Sequence, residues 1–334
     1  MKKLKGAVIG LGYWGPNIVR NFLKIPDVEL VSICDISKKS IENAKLSFPP
    51  MEMTTDPDKI FAKDEIDFVS IATPVSTHFE LALKALDSGK HVLLEKPMTL
   101  SSSEAKKLIK KAEIKNKILM VGHTFLYADS IQKIKKMIEN KNFGEVLYFD
   151  STRVNLGKFQ SDVNVVWDLA PHDFSILQYL FGSPQSIHVL GSSHISKKKL
   201  EIAHIYLKYA NNFICHIHVS WLSPLKIRSI LIGGTKKMIS YDDIAPSEKI
   251  KLYEKSVSIN KSEVTPFSPA YRSGNVIIPH LSQKEALLTE LEHFVTCIKK
   301  NKKPLSSGED GLEVVKMLEA CDKSLRMKKE ISYV

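Results

Sequence analysis

The segment that most constrains this chain is Gly10-Leu11-Gly12-Tyr13-Trp14-Gly15, which follows the apolar run Leu4–Ile9 and precedes a helical pattern opening at Pro16. In a strand–turn–helix setting the three glycines have separate tasks. Gly10 permits a tight turn, Gly12 lets backbone approach a pyrophosphate, and Gly15 lets the helix pack close to the strand, while the helix N-terminus offers amide groups to the phosphates. Asp35 lies 20 residues past Gly15, at the end of the second apolar run Val28–Cys34. This completes a dinucleotide-binding fingerprint, with Tyr13 and Trp14 in the cofactor turn. Asp35 suits ribose hydroxyls and repels a 2′-phosphate, so NAD is expected rather than NADP. Lys38 and Lys39 bring the opposing charge, and Asp35 or Ser37 also suits a helix N-cap.

The rest of the first part alternates short β-branched runs (Asp67–Ala72, His91–Leu94, Ile118–Val121) with helical stretches near residues 37–46, 77–88 and 101–115. That alternation predicts an α/β domain over residues 1–122, a doubly wound parallel sheet of the Rossmann type. From residue 123 the pattern changes to helices at 131–139 and 167–181, a strand at 145–154, and then consecutive strand-like runs. In 213–221, Phe213, Cys215, Ile217, Val219 and Trp221 share one face, and Ile214, His216, His218 and Ser220 share the other. A C-terminal α+β domain over 123–334 on a mixed or antiparallel sheet is expected, closing with helices at 283–299 and 312–325. Residues 256–279, with three prolines, are expected as an extended loop or arm.

Composition narrows the class. The 334 residues suit two domains, and 43% hydrophobic with 25% charged residues is ordinary globular composition. The formal charge of +11 is spread along the chain with no nucleic-acid-binding signature, so it favours an anionic small substrate over nucleic acid. Four scattered cysteines suggest neither a disulfide framework nor a metal site, so no metal is expected and a reducing cytoplasm is the default. The glycine-broken start is unlike a signal peptide, and no run is long enough to cross a bilayer.

Two further stretches carry a resemblance: Ala72-Thr73-Pro74-Val75-Ser76-Thr77-His78, and Gly89-Lys90-His91-Val92-Leu93-Leu94-Glu95-Lys96-Pro97. With the glycine turn, they resemble the glucose–fructose oxidoreductase/inositol dehydrogenase/rhizopine-catabolism family of dehydrogenases over nearly the whole chain. The resemblance implies that Thr73, Pro74, His78, Glu95 and Lys96 surround the cofactor and that Lys96 enters the active site. The residues agree, because Lys96 stands at the carboxyl end of an expected parallel strand, where ligands of such sheets bind. An ammonium there favours the alkoxide that develops as hydride leaves. Glu95 points to the opposite side of the strand, and His123, after the fifth run, touches the cofactor or packs.

Val166-Trp167-Asp168-Leu169-Ala170-Pro171-His172-Asp173 is similar to the family's second motif. Asp168 and His172 share a face if both are helical; alternatively, Asp168 caps the helix with Pro171 in its first turn. Either way His172 is expected near a helix N-terminus, available as a neutral base. The resemblance implies that His172 acts on the hydroxyl proton and Asp168 orients, although His172 and Lys96 are interchangeable as base and stabiliser. Pro171, and the lack of an acid three places after His172, depart from the family pattern; Asp173 sits adjacent instead. This form resembles the branch oxidising nucleotide-linked N-acetyl-sugars at C3, which implies conversion of UDP-N-acetylglucosamine to its 3-keto form, feeding diamino-sugar synthesis for lipid A or surface polysaccharide. Arg153, Asn155, Lys158 and Gln160 are the expected contacts to phosphate or sugar. A different sugar or polyol dehydrogenase and a non-catalytic NAD-binding regulator are the alternatives. His216 and His218 are expected on a polar sheet face or an oligomer interface, and a homo-oligomer through the C-terminal sheet is expected.

Overall fold

The computed structural model describes residues 3–157, 159–160, 162–196, 199–260 and 268–333. The chain opens with β1 (Leu4–Ile9), α1 (Gly15–Phe22), β2 (Val28–Cys34), α2 (Lys38–Ser47), β3 (Glu52–Thr54), α3 (Asp58–Phe61), β4 (Phe68–Ile71), α4 (His78–Asp87), β5 (His91–Glu95), α5 (Ser102–Ile114) and β6 (Leu119–Gly122). It continues with α6 (Asp129–Glu139), β7 (Val146–Leu156), α7 (Val165–Phe181), β8 (Ser186–Ser192), β9 (Ile202–Lys208), β10 (Ile214–Ser220), β11 (Leu222–Gly234), β12 (Met238–Asp242), β13 (Ile250–Tyr253), β14 (Ser256–Asn260), β15 (Ser268–Arg272) and β16 (Val276–Ile277). It closes with α8 (Ala286–Lys300), α9 (Gly308–Met327) and β17 (Ile331–Ser332).

Two compact units result: residues 1–128 with 284–316, and residues 129–283 with 317–334. The chain therefore returns to the first unit at α8, within the stretch that the sequence reading assigned to a second domain from residue 123. The first unit is built on a six-stranded sheet in the order β3-β2-β1-β4-β5-β6, with every pair parallel. Such strands are covered on both faces and read as continuous apolar runs; Phe68–Ile71 and Val92–Leu94 are accordingly buried throughout. Ser101 caps α5 by accepting from the Glu104 amide at 3.3 Å, and Ser37 caps α2 by accepting from the Ser40 amide at 3.2 Å.

The second unit is built on a nine-stranded mixed sheet in the order β16-β13-β12-β11-β7-β10-β9-β8-β17. β10 runs parallel to β7 and antiparallel to β9. Its period-two pattern holds: Cys215, Ile217 and Val219 are buried, while Ile214 is 56% exposed on the opposite face. α7 packs on the buried side through residues such as Phe174 and Leu177, both fully buried. The expected arm at 256–279 is partly strand, since β14 and β15 pair antiparallel as a separate two-stranded ribbon. All four cysteines are free and buried. Among the described residues, no helix is long and apolar enough to cross a membrane.

Candidate active site

In the first unit the glycine turn has the shape that its sequence requires. Gly10 has φ +99°, and a Cβ there would lie 2.5 Å from the Ala72 carbonyl oxygen, so no side chain fits. A Cβ on Gly15 would lie 2.0 Å from the Gly10 carbonyl oxygen, which is the close approach of α1 to the turn. A Cβ on Gly12, by contrast, would meet nothing within 4 Å. The turn thus offers open space in front of α1, whose first residues have no side-chain cap on their amides. Tyr13 stands 90% exposed beside it and stacks on Trp14 with ring centroids 6.4 Å apart. This cradle fits a dinucleotide phosphate.

Asp35 is tied to the same turn. Its Oδ2 accepts from the Leu11 amide at 2.6 Å and its Oδ1 from the Ser37 amide at 2.8 Å. The helix cap proper is Ser37, so Asp35 spans the fingerprint loop and the end of β2 instead of starting α2.

The loop after β4 and the loop after β5 are joined by His78. Its Nδ1 lies 2.9 Å from the Pro97 carbonyl oxygen and its Nε2 2.9 Å from that of Thr73. The ring is buried, so it holds backbone beside Lys96 and Thr73 where the sequence reading had it touching cofactor. Thr77 also donates from its hydroxyl to Thr73 Oγ1 at 2.7 Å, and Pro74 is exposed at the turn.

Lys96 follows β5 at the carboxyl edge of the sheet, with Glu95 the last strand residue. Burial pushes the Glu95 carboxyl up to about 7, against the opposing pull of Lys96 and Trp14. Burial, with the Lys96 charge adding to it, brings His123 down to about 3, so its ring is neutral at physiological pH. Glu290 on α8 is 1% exposed, with its Oε2 accepting from Thr124 Oγ1 at 2.7 Å. The sequence reading missed Glu290. Its signal was an acid on the apolar face made by Leu287, Leu291 and Phe294.

In the second unit, Asn164 and not Asp168 caps α7, its Oδ1 accepting from the Val166 and Trp167 amides at 2.9 and 3.1 Å. Asp168, Pro171 and His172 are therefore all helical, and Pro171 lies inside the helix. His172 sits about two turns in, beyond the first turn where the helix dipole acts, so the expected dipole effect on it does not apply. Asp168 and His172 do share one face and are half-buried, while Trp167, Ala170, Pro171, Asp173 and Phe174 around them are buried. Asp168 is oriented by a residue the sequence reading left in the core: the Trp221 indole donates to its Oδ2 at 3.0 Å. Trp167 donates to Asp322 Oδ2 at 2.9 Å.

Arg153 is not a substrate contact. It is 5% exposed, and its guanidinium donates to Asp173 through Nε at 2.7 Å and Nη2 at 3.2 Å, with Ser151 Oγ donating to the same carboxylate at 2.7 Å. A buried bidentate pair of this kind fixes α7 on β7, which gives Asp173 its role. Asn155 and Gln160 are half-buried near Trp221 and Phe159, whose rings lie 5.2 Å apart. Lys158 lies outside the described residues. Among the described residues no group of three or more His, Cys, Asp or Glu side chains could hold a metal ion.

Residues 4–123 match the model of the oxidoreductase family with an NAD-binding Rossmann fold, and residues 135–333 match that family's C-terminal alpha/beta domain. The chain belongs to this oxidoreductase family. The family resemblance read from the glycine turn, the Glu-Lys-Pro triplet and the Asp168–His172 motif is thereby established, as is NAD as the cofactor of its first domain. Among family relatives, the UDP-N-acetylglucosamine 3-dehydrogenase of Acidithiobacillus ferrooxidans is 26% identical over 317 residues, covering 94% of this chain and 95% of that protein. The scyllo-inositol 2-dehydrogenase (NAD(+)) of Bacillus subtilis is 25% identical, covering 92% of this chain and 90% of its own. An Agrobacterium radiobacter oxidoreductase solved with NAD+, L-tartaric acid and magnesium shares the fold at a TM-score of 0.82 and 21% identity, covering 99% of both chains.

Proposed function

We propose that this family member oxidises the C3 hydroxyl of a nucleotide-linked N-acetyl-sugar, with UDP-N-acetylglucosamine as substrate and its 3-keto form as product. The observation that carries the reading is the Asp168–His172 face of α7, where Trp221 holds Asp168 beside a largely buried stretch of the helix. The similarity to the Acidithiobacillus 3-dehydrogenase and the charge of +11, suited to a diphosphate, support it. Bound NAD supplies the hydride acceptor.

His172 takes the hydroxyl proton, Asp168 orients the imidazole, and Lys96 stabilises the developing alkoxide. Gly10, Gly12, Tyr13, Trp14 and Gly15 receive the cofactor's phosphates, Asp35 its ribose, and Thr73, Pro74 and Glu95 its remaining length. Asn155, Lys158 and Gln160 bind the nucleotide or sugar. A 3-keto product of this kind is the substrate of a transaminase, in keeping with diamino-sugar synthesis for lipid A or surface polysaccharide. Copies of the chain associate through the open face of the nine-stranded sheet, where Tyr206, Ile214 and Leu231 are exposed.

The test is a set of UDP-sugars and free polyols incubated with NAD and followed at the nicotinamide absorbance. UDP-N-acetylglucosamine should give NADH and a 3-keto sugar. Turnover of inositol with none of any UDP-sugar would overturn the substrate and leave a polyol dehydrogenase.

A further inference from the structure

Glu290 is the most deeply buried acid facing the carboxyl edge of the parallel sheet. Its Oε2 accepts from Thr124, while its Oε1 is buried with no hydrogen-bond partner among the described residues. Glu95 approaches the same short segment from the other end, because a Cβ on Gly122 would lie 3.0 Å from the Glu95 Oε1. The stretch from Gly122 to Thr124 therefore has one carboxyl group at each end, with the buried ring of His123 between them.

The groups that face the pair come from several elements. Lys96 brings positive charge from the loop after β5, and Trp14 reaches Glu95 from the glycine turn. Tyr127, in the 3₁₀ turn Thr124–Tyr127, hydrogen-bonds Ser306 Oγ at 2.8 Å, and its phenol is raised by burial and then by Glu290. Two carboxylates in a buried site cannot both ionise without a large penalty. Burial first, and the Glu95 charge second, hold the Glu290 carboxyl well above the usual range.

We propose that Glu290 is a positioning residue that acts on Lys96 through Glu95: it keeps its proton, so the pair never presents more than one negative charge, the one that Glu95 gains as it ionises. A second carboxylate there would hold the Lys96 ammonium too firmly for it to exchange a proton with a substrate hydroxyl. The use of this device in turnover rests on the dehydrogenase reading above. The protonation itself does not, and it is measured without substrate.

The first measurement is the infrared carbonyl band of a protonated carboxylic acid in the full-length protein. At pH 8, where Glu95 is largely ionised, the band should be present, and Glu290→Gln should remove the Glu290 component of it. In Glu95→Gln the same band should titrate away at a pH lower by about one unit or more, because the neighbouring charge is gone. The second measurement is thermal melting of Glu290→Gln. The unfolded chain loses the Glu290 proton near its ordinary value and the folded chain keeps it, so the natural protein loses stability relative to the variant as pH rises. The variant's advantage in melting temperature should therefore grow from pH 5 to pH 8.

The third is acylation of Lys96 by an amine-directed reagent, followed by peptide mass across pH. In Glu95→Gln, which removes the charge, the Lys96 amine should react at lower pH than in the natural protein, whereas Glu290→Gln, neutral for neutral, should leave the Lys96 profile in place; an ionised Glu290 would make that variant shift it too. A band unchanged by Glu290→Gln, a band whose titration ignores Glu95→Gln, a Lys96 profile that Glu95→Gln leaves unmoved, or one that Glu290→Gln moves to lower pH would each overturn the proposal. The expected spectra in a protein that oxidises no nucleotide sugar would retain the carboxyl pair and remove only the substrate reading.

Discussion

Trp221, directly after β10, donates its indole N–H to Asp168 on α7 at 3.0 Å, although the two residues are 53 positions apart. A side chain that looked like one more apolar member of a strand face thus fixes the carboxylate proposed to orient His172. Trp221→Phe keeps the ring and removes the donor. A hydrogen bond to a charged group contributes about 1.5–3 kcal/mol, so turnover should fall by roughly tenfold to a hundredfold. NAD affinity, measured calorimetrically, should stay unchanged; loss of NAD binding would show that the change spreads beyond Asp168.

Lys96→Met and His172→Asn should each lower turnover by a factor on the order of 10² or more, if both act on one hydroxyl. The double variant should be little worse than the poorer single one, since groups acting as a unit give non-additive losses. Steady-state kinetics on the three proteins decide this. Near-native turnover in His172→Asn would pass the proton to another acceptor, with Lys96 the first candidate.

Asp35 has two consequences, because its carboxylate is both the proposed ribose contact and the acceptor that holds the Leu11 amide. The natural protein should bind NAD more tightly than NADP. Asp35→Ala should narrow that preference and also weaken NAD itself by loosening the glycine turn. Fluorescence titration with both cofactors reads this out, and tighter NADP binding by the natural protein would assign control to Lys38 and Lys39.

His123 makes acid stability a test of the buried edge. Its folded value of about 3 lies below the ordinary histidine value, so between the two the unfolded chain binds the extra proton and stability falls as pH drops. The slope is about 1.4 kcal/mol per pH unit from this one residue. Denaturant melts of His123→Asn from pH 7 to pH 4 should show a shallower loss than the natural protein. Parallel curves would mean that the ring is solvated.

The strands β1 and β2 were legible to the residue because each is rich in apolar residues, buried toward its carboxyl end and bounded by turn residues. β3 was not, since Glu52–Thr54 is too short to show periodicity and is recruited by pairing with β2 through Ser32, Ile33 and Cys34. The prolines of 256–279 argued for a loop, yet Pro269 lies opposite Ile259 in a ribbon of two edge strands, where a missing N–H is tolerated. The site divides in the same way. The glycine turn, Lys96 and His172 belong to local motifs, whereas the fate of Arg153 depends on Asp173 reaching back from α7, and Glu290 gains its meaning only from Thr124. Chemistry written within a few neighbouring residues can be read from the chain, but partnerships made by folding cannot.

The edge of the parallel sheet at β6 has its own consequence for how the protein is made. Val121 donates its amide to the Ser306 carbonyl at 2.8 Å, Ser306 Oγ donates back to the Val121 carbonyl at 2.7 Å, and Met120 bridges to Ser307. A ribosome that has emitted the first 128 residues has released all six strands of that sheet but not the segment that seals its last edge. The unit begun first is completed only by residues 284–316, so a nascent chain stalled before residue 306 displays an open β-edge, the kind of surface that pairs with other chains.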